Sequence, residues 1–384
     1  MRHFAPLLLL ALLSSPGAAR GQSPEHAGFV AQLGRDTVAV ESFTRSRDRL
    51  EGDLVTRSPE TRLIHYVAEL GADGAVTRLT VDARALNDLP GALKPFHAVV
   101  SFGDSVEVTM TQGDSTSTYG YTAPGAAPMV NWSYALWEQV IRQGTVAGKD
   151  SVSVPLVYMG RAQPFPNAVR RLGRDSVVVS YFGFPFYAHL DKNRRVISMD
   201  GSQTTVKVAV VRVAKIDAHA MGDQFAAREM AGQALGPLSP RDTVRAEISG
   251  AHLLVDYGRP ARRGRTIFGQ VVPWNEVWRT GANAATQFFT DRPLVVGGVE
   301  IPAGGYTLWT IPTQDGCTLI INSQTGQWGT QYDAGKDSAR IPLEVSRMED
   351  PMERFTIGIE AAASGGVLAL GWDRTRYSVT FLVQ

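Results

Sequence analysis

The chain has 384 residues, of which 44% are hydrophobic and 20% are charged. This length exceeds what one hydrophobic core ordinarily serves, so we expect two domains, and the composition excludes a largely disordered chain. The formal net charge of +1 provides no general attraction to nucleic acid, so we predict no nucleic-acid partner.

The first residues have the pattern of a secretory signal sequence. Arg2 supplies a positive charge, residues 7–13 form a short apolar run, and small side chains dominate residues 14–19. This pattern predicts a cleavable signal peptide over residues 1–19 and a periplasmic or secreted protein. With no cysteine near the cleavage site and no longer apolar run, we expect neither a lipoprotein anchor nor a transmembrane segment.

Residues 26–215 have the pattern of antiparallel strands. Short runs rich in Val and Thr, such as 76–81 and 106–110, are separated by Gly, Asp and Asn, which is typical of strands joined by turns. Asp73 and Gly74 form a hairpin signal, because Gly readily adopts the positive φ of such turns. We predict an N-terminal antiparallel curved sheet or half-barrel. In general pattern it is similar to periplasmic lipid-carrier β domains, although no specific motif supports this similarity.

One or two helices interrupt this sheet. Tyr134 and Trp137 belong to an apolar face at helical spacing, with Asn131 as the predicted N-cap. We interpret this face as core packing, with the lining of an apolar cavity as the alternative. A second, Ala-rich helix is predicted within a helix-and-linker segment, residues 216–240, that ends the first domain.

Residues 241–384 form a regular series of short, alternating strands, for example 354–360 and 377–383. About nine strands at this spacing predict a C-terminal β-sandwich, jelly-roll-like in type. The fold class is therefore mainly β. Cys317, the only cysteine, lies in an apolar run and is interpreted as a buried thiol.

The stretch 256–283 combines five arginines with two tryptophans. One interpretation is structural: the arginines pair with nearby carboxylates and tie this long connection onto the sandwich. The arginines concerned are Arg259, Arg265 and Arg279, and the carboxylates are Asp256, Glu276 and Asp291. Arg262 and Arg263 are interpreted as solvated loop charges.

The second interpretation of this stretch is a ligand site. Arg265 and Arg279 would supply charge for a carboxylate, phosphate or sugar, and Trp278, Trp328 and Tyr332 would supply aromatic walls. Both interpretations remain open at this stage. The residues that we predict for such a site are Tyr257, Arg259, Arg265, Trp278, Arg279, Asn283, Trp328 and Tyr332.

Several separated motifs in this half occur in a defined order. They are Tyr257-x-Arg259-Pro260, Trp278-Arg279-x-Gly281-Ala282-Asn283, Pro302-Ala303-Gly304-x-Tyr306 and Gln327-Trp328-Gly329. In this order they resemble the bacterial domain-of-unknown-function family twenty-nine-eleven, over roughly residues 239–384. The resemblance implies an extracytoplasmic β-rich domain and supplies neither a substrate nor catalytic residues.

The remaining motifs predict no metal and no cofactor. The histidines are isolated and lack metal-ligand spacing, and the Gly103-Asp104-Ser105 block has no Asp-x-x-His after it. We therefore predict a non-catalytic binding module whose partner is a small polar or anionic molecule or an envelope ligand. The alternatives are a cofactor-free hydrolase of envelope glycans or esters, with Asp256 or Glu276 as acid or base, and a structural or protein-interaction role.

Overall fold

A computed structural model describes residues 23–87, 89, 91–146 and 148–384. The predicted signal peptide, residues 1–19, lies outside the described residues. The strands are β1 (Glu25–Leu33), β2 (Asp36–Arg45), β3 (Arg49–Thr56), β4 (Arg62–Leu70), β5 (Val76–Ala85), β6 (Phe96–Ser101), β7 (Ser105–Gln112), β8 (Ser115–Thr122), β9 (Ala127–Met129), β10 (Ser151–Ser153), β11 (Leu156–Tyr158), β12 (Ala168–Arg171), β13 (Ser176–Tyr181), β14 (Phe184–Leu190), β15 (Val196–Asp200), β16 (Ala209–Val213), β17 (Arg241–Ile248), β18 (Ala251–Gly258), β19 (Thr286–Thr290), β20 (Leu294–Val296), β21 (Val299–Ile301), β22 (Gly304–Pro312), β23 (Cys317–Asn322), β24 (Asp337–Ala362) and β25 (Gly365–Val383). The helices are α1 (Tyr134–Gly144), α2 (Ala218–Met230) and a short 3-10 helix (Ala334–Lys336). Neither α-helix in the described part of the chain has the length and apolarity that a bilayer crossing requires.

The N-terminal half forms one 14-stranded sheet, in the order β10-β12-β13-β14-β15-β16-β1-β2-β3-β4-β5-β6-β7-β8. Its strands alternate as the sequence indicates, since Val106 and Val108 of β7 are buried while Glu107 is exposed. The sheet curves around α1, whose Trp137 meets Phe186 of β14 edge-on at 6.1 Å between ring centroids. The predicted mainly β class and the curved antiparallel sheet are confirmed.

The N-terminus of α1 is fixed by a buried carboxylate from β2. Glu41 accepts hydrogen bonds from the backbone N–H groups of Tyr134 (2.7 Å) and Ala135 (3.0 Å) and from the Ser133 hydroxyl (2.6 Å). The N-cap is therefore Ser133, and the expectation of Asn131 was wrong. The helix starts where its free N–H groups reach the carboxylate, and only the tertiary fold supplies that carboxylate.

A second buried carboxylate ties the middle of α1 to strands β2, β15 and β16 of the sheet. Glu138 is fully buried and lies 2.8 Å from Arg212 of β16 and 3.3 Å from Arg45 of β2. It also accepts a hydrogen bond from the Val196 backbone N–H of β15 (2.8 Å). Since two arginines and a backbone donor satisfy it, this charge can be kept inside the domain.

The C-terminal half forms one nine-stranded sheet, in the order β17-β18-β19-β22-β23-β24-β25-β20-β21. The sheet folds over on itself, so that Tyr257 of β18 meets Phe355 of β24 edge-on at 5.8 Å. The Tyr257 hydroxyl accepts a hydrogen bond from the Ile357 backbone N–H (3.0 Å). Tyr257 is thus part of the core of this domain, which is the predicted second β-rich unit.

The first hairpin of the N-terminal sheet docks onto the C-terminal domain. Arg35 donates its backbone N–H to the Arg263 carbonyl (3.0 Å), and the Arg263 side chain forms an ion pair with Asp36. Arg263 is only 4% exposed, so the expectation of a solvated loop charge was wrong. Gly34 (φ +61°) permits the approach, because a Cβ there would lie 2.2 Å from the Arg263 carbonyl oxygen.

We expect Glu41→Ala to lower the free energy of unfolding by about 3 kcal/mol or more, because it leaves several buried donors of α1 and β4 without an acceptor. Tyr66 of β4 also donates to Glu41 (2.6 Å). Urea unfolding followed by circular dichroism measures the change. Glu107→Ala on the exposed face of β7 is the control, with a change within about 0.5 kcal/mol. Equal losses in the two variants would contradict the capping role.

Candidate functional site

A cleft of about 840 Å³ lies between the two domains. One wall comes from residues 202–207, which join β15 to β16 in the N-terminal domain. The opposite wall comes from residues 276–283 and 328–330 of the C-terminal domain. We call this space the interdomain cleft. It is the place where much of the arginine- and tryptophan-rich stretch meets the other half of the molecule.

Trp278 is held at the cleft by a short bridge to β22. Its backbone N–H donates to the Thr310 carbonyl (2.7 Å), and the Thr310 N–H donates back (2.9 Å). The Trp278 ring stacks on Trp372 at 5.9 Å and meets Phe355 edge-on at 5.0 Å. These contacts fix the ring, so Trp278 forms a rigid aromatic part of the cleft wall.

Arg279 follows Trp278 and points a half-buried guanidinium into the cleft. Burial is the only cause that lowers the pKa of Arg279, and no hydrogen bond or ion pair joins its guanidinium to the part of the chain that the structure describes. Gly329 packs against the side chain, since a Cβ there would lie 2.5 Å from Cδ of Arg279. A cation without a carboxylate partner in a concave site favours an anionic ligand.

Arg265 is a second half-buried cation of the cleft. Its guanidinium donates to the carbonyl oxygens of Ala261 (2.7 Å) and Arg262 (3.0 Å). These contacts orient the group without neutralising it. Burial, followed by repulsion from Arg263, lowers the pKa of Arg265 to about 10, so the guanidinium keeps its charge at neutral pH.

Lys207 adds a third cation from the N-terminal domain, and sequence reasoning missed it. The residue has φ +58°, which is uncommon for a side chain other than Gly or Asn, and its ammonium donates to the Ser202 carbonyl (2.8 Å). Burial, and then repulsion from Arg279 and Arg265, lowers the pKa of Lys207. The three cations therefore share one electrostatic environment, although no local motif marks Lys207.

Negative charge in the cleft is limited. Glu276 is the only carboxylate among the described residues that line the cleft, and it is exposed. Asp256 instead forms an ion pair with Arg241 (2.8 Å) and Asp291 with His252 (2.7 Å). The predicted pairing of Arg265 and Arg279 with these aspartates was therefore wrong, because the strand register directs both carboxylates to other partners.

Two further predicted residues line the cleft. Asn283, with φ +65°, is exposed at the turn after Arg279, and its amide lies 3.4 Å from the Ser239 carbonyl. Trp328 is 50% exposed, in contrast to the buried Trp309 and Trp372. An exposed tryptophan beside unpaired cations is available to a ligand.

The other predicted residues lie outside the cleft lining. Tyr257 is in the core, as described above. Arg259 forms an ion pair with Asp242 (2.8 Å). Tyr332 donates its hydroxyl to Asp337 (2.7 Å) and packs on Trp309 at 5.0 Å. Their polar atoms are engaged within the domain and are not available to a ligand in the cleft.

We expect Arg279→Met to raise the melting temperature of the free protein by about 1–4 °C, because it removes a half-buried, unpaired charge and keeps the apolar stem. Arg259→Met is the matched control. It breaks the ion pair with Asp242 and a hydrogen bond to Thr356 (2.8 Å), so its melting temperature should fall. Calorimetry measures both values. Destabilisation of the same size in both variants would show that Arg279 has a structural partner.

Known proteins provide limited comparisons. No curated protein matches the chain. A crystal structure of a DUF1089 family protein from Pseudomonas aeruginosa is 14% identical, with a TM-score of 0.32, over 51% of this chain and 97% of that chain. A β-barrel-like protein of the domain of unknown function DUF1849 from Brucella abortus is 14% identical, with a TM-score of 0.33, over 50% of this chain and 94% of that chain.

The C-terminal domain matches a family model. The model is described as "Protein of unknown function (DUF2911)" and covers residues 239–381. This range includes Arg265, Trp278, Arg279 and Trp328, whereas Lys207 lies outside it. The resemblance indicated by the ordered motifs is therefore confirmed for residues 239–381, which match the DUF2911 family model.

Proposed function

We propose that the protein is a non-catalytic binding module and that the interdomain cleft holds a small anionic ligand. The observation that carries this proposal is the set of Lys207, Arg265 and Arg279 in one concave space, whose described lining residues include a single, exposed carboxylate. A phosphate or carboxylate would supply the missing counter-charge, and the guanidinium groups suit such anions geometrically.

The aromatic walls support a ligand with a planar or apolar part. Trp278 is fixed by its stacking on Trp372, and Trp328 is half exposed on the same cleft. Rigid aromatic side chains next to a few directed polar groups are typical of small-molecule sites. A ligand at this site would contact both domains, since Lys207 belongs to the N-terminal domain and the two arginines and two tryptophans belong to the C-terminal domain.

The geometry favours binding over the hydrolase alternative. Of the two carboxylates considered as acid or base, Asp256 is engaged by Arg241 (2.8 Å) and does not line the cleft. Glu276 lines the cleft without a second carboxylate among the described lining residues. Acid–base hydrolysis commonly uses two cooperating groups within reach of the substrate, and the described cleft lining contains no histidine.

Thermal-shift measurements with inorganic phosphate, succinate and glucose 1-phosphate test the proposal. At about 100 times the dissociation constant, a ligand adds about 2.7 kcal/mol to the stability of the folded state. We expect a dose-dependent rise in melting temperature for the wild type with at least one anion, and a much smaller rise for Arg279→Met and Lys207→Met. Arg376→Met, which removes an arginine paired with Glu360 outside the cleft lining, is the control and should respond as the wild type does.

A shift of equal size in the wild type and in Arg279→Met would remove Arg279 from the site. The absence of any shift with all three anions would contradict an anion site in the cleft.

We also propose that the protein acts outside the cytoplasm, in the periplasm or after secretion. The support is the sequence pattern of residues 1–19. Expression of the full chain in a Gram-negative host should yield a periplasmic product whose measured mass corresponds to a start at residue 20. Leu9→Arg interrupts the apolar run and should retain the uncleaved chain in the cytoplasm. A cytoplasmic wild-type product with an intact N-terminus would refute the proposal.

A further inference from the structure

An apolar groove continues from the interdomain cleft. It has a volume of about 530 Å³ and is lined by Phe165, Phe182, Phe184 and Val206 of the N-terminal domain and by Trp328 of the C-terminal domain. We call it the aromatic groove. Phe184, Val206 and Trp328 also line the cleft, so the two spaces meet beside the Trp328 ring.

Phe182 is an exposed aromatic side chain of this groove on the N-terminal domain. Phe182 and Gly183 form the turn between β13 and β14, with φ angles of +49° and +88°. The Phe182 ring meets Phe165 and Tyr181 edge-on, each at 4.8 Å, yet Phe182 remains 40% exposed. A phenylalanine with positive φ strains the backbone and leaves apolar surface exposed to water. Its presence at this turn therefore favours a role in binding over a structural one.

Exposed aromatic side chains from both domains meet at this groove. Phe182 is 40% exposed and Trp328 is 50% exposed, and both line the same space. Contiguous exposed apolar surface on a folded protein commonly marks a binding site. Since one side of the groove belongs to each domain, an apolar group lying in it would contact both.

The charges of the two spaces differ. The described residues that line the aromatic groove include no charged side chain, whereas Lys207, Arg265 and Arg279 line the adjoining cleft. Arg161 lies over the Phe165 ring at 4.4 Å, so a cation flanks the aromatic groove without lining it. A molecule that spans both spaces would therefore meet three lining cations in the cleft and an uncharged, mainly aromatic lining in the groove.

We propose that the cleft and the aromatic groove bind one anionic amphiphile, a single-chain molecule with a phosphate or carboxylate head and an apolar tail. The head lies among Lys207, Arg265 and Arg279. The tail passes Trp328 and lies against Phe165 and Phe182. This inference rests on the proposed anion-binding function and specifies its ligand class, since the aromatic groove gives a purely polar anion no additional contact.

Isothermal titration calorimetry with methyl, butyl and octyl phosphate, each below its aggregation concentration, tests the inference. Burial of apolar area increases affinity about fourfold for each fully buried methylene. We therefore expect octyl phosphate to bind on the order of a hundredfold more tightly than methyl phosphate, allowing for partial burial of the chain. Octanoate has a carboxylate head in place of the phosphate. Its affinity relative to that of octyl phosphate identifies the preferred head group.

Two variants separate the tail contact from the head contact. Phe182→Asn removes the ring with a residue that tolerates positive φ, and we expect it to reduce the gain from chain length and to leave methyl phosphate binding unchanged. Arg279→Met should weaken binding of all three phosphates. The control is Phe289→Thr, which removes a 46% exposed aromatic side chain on β19, outside the groove lining. If Phe182→Asn is misfolded by circular dichroism, Phe165→Thr replaces it, because Phe165 lines the aromatic groove but not the cleft.

The outcomes distinguish the two proposals. If Arg279-dependent binding of methyl phosphate occurs and chain length adds nothing, the amphiphile inference is overturned and the anion site stands. The same holds if chain length increases affinity equally in the wild type, Phe182→Asn and Phe165→Thr, because the tail then lies elsewhere. If none of the phosphates or octanoate binds in an Arg279-dependent manner, both proposals fail.

Discussion

The contact between Arg263 and Asp36 is the constraint on which the candidate site depends. Arg263 is almost completely buried, and its partner belongs to the first hairpin of the other domain. Loss of Asp36, whose side chain is 29% exposed, would leave the buried Arg263 charge uncompensated in a low-dielectric environment, which is strongly unfavourable. Together with the Gly34 turn, this contact sets where the two domains face each other, and the interdomain cleft lies along the same face.

A second set of buried charges fixes the position of α1 within the N-terminal domain. Glu41 fixes the start of α1, and Glu138 connects that helix to β15 and β16 through Val196 and Arg212. The connection between these two strands carries Lys207. The position of this cleft cation thus depends in part on the contacts of α1 with the two strands that flank it. A polar network in which every group is hydrogen-bonded makes a domain rigid, because a side chain that moves would lose several hydrogen bonds at once.

The cleft itself is arranged differently from these networks. Glu41, Glu138 and Arg263 all have partners, whereas Arg279 has none among the described residues and Lys207 and Arg265 contact only neutral carbonyls. Clustered cations that share a single exposed carboxylate among the described lining residues reduce the stability of the free protein, and such local costs concentrate at functional sites. The contrast between satisfied charges in the domain interiors and unsatisfied charges in one open space is the main physical reason to place function there.

The sequence by itself determined the strand pattern and the C-terminal family resemblance, because alternation, turn residues and ordered motifs are local properties. It also identified Arg265, Trp278, Arg279 and Trp328 as unusual. Only the tertiary structure decided that Arg259 and Tyr332 have partners within their domain, while Arg279 has none among the residues that the structure describes. Lys207 and Phe182 carried no local signal, since their importance comes from facing another domain across long sequence separation. Burial and charge pairing depend on which strands meet, and that information exists only once the chain has folded.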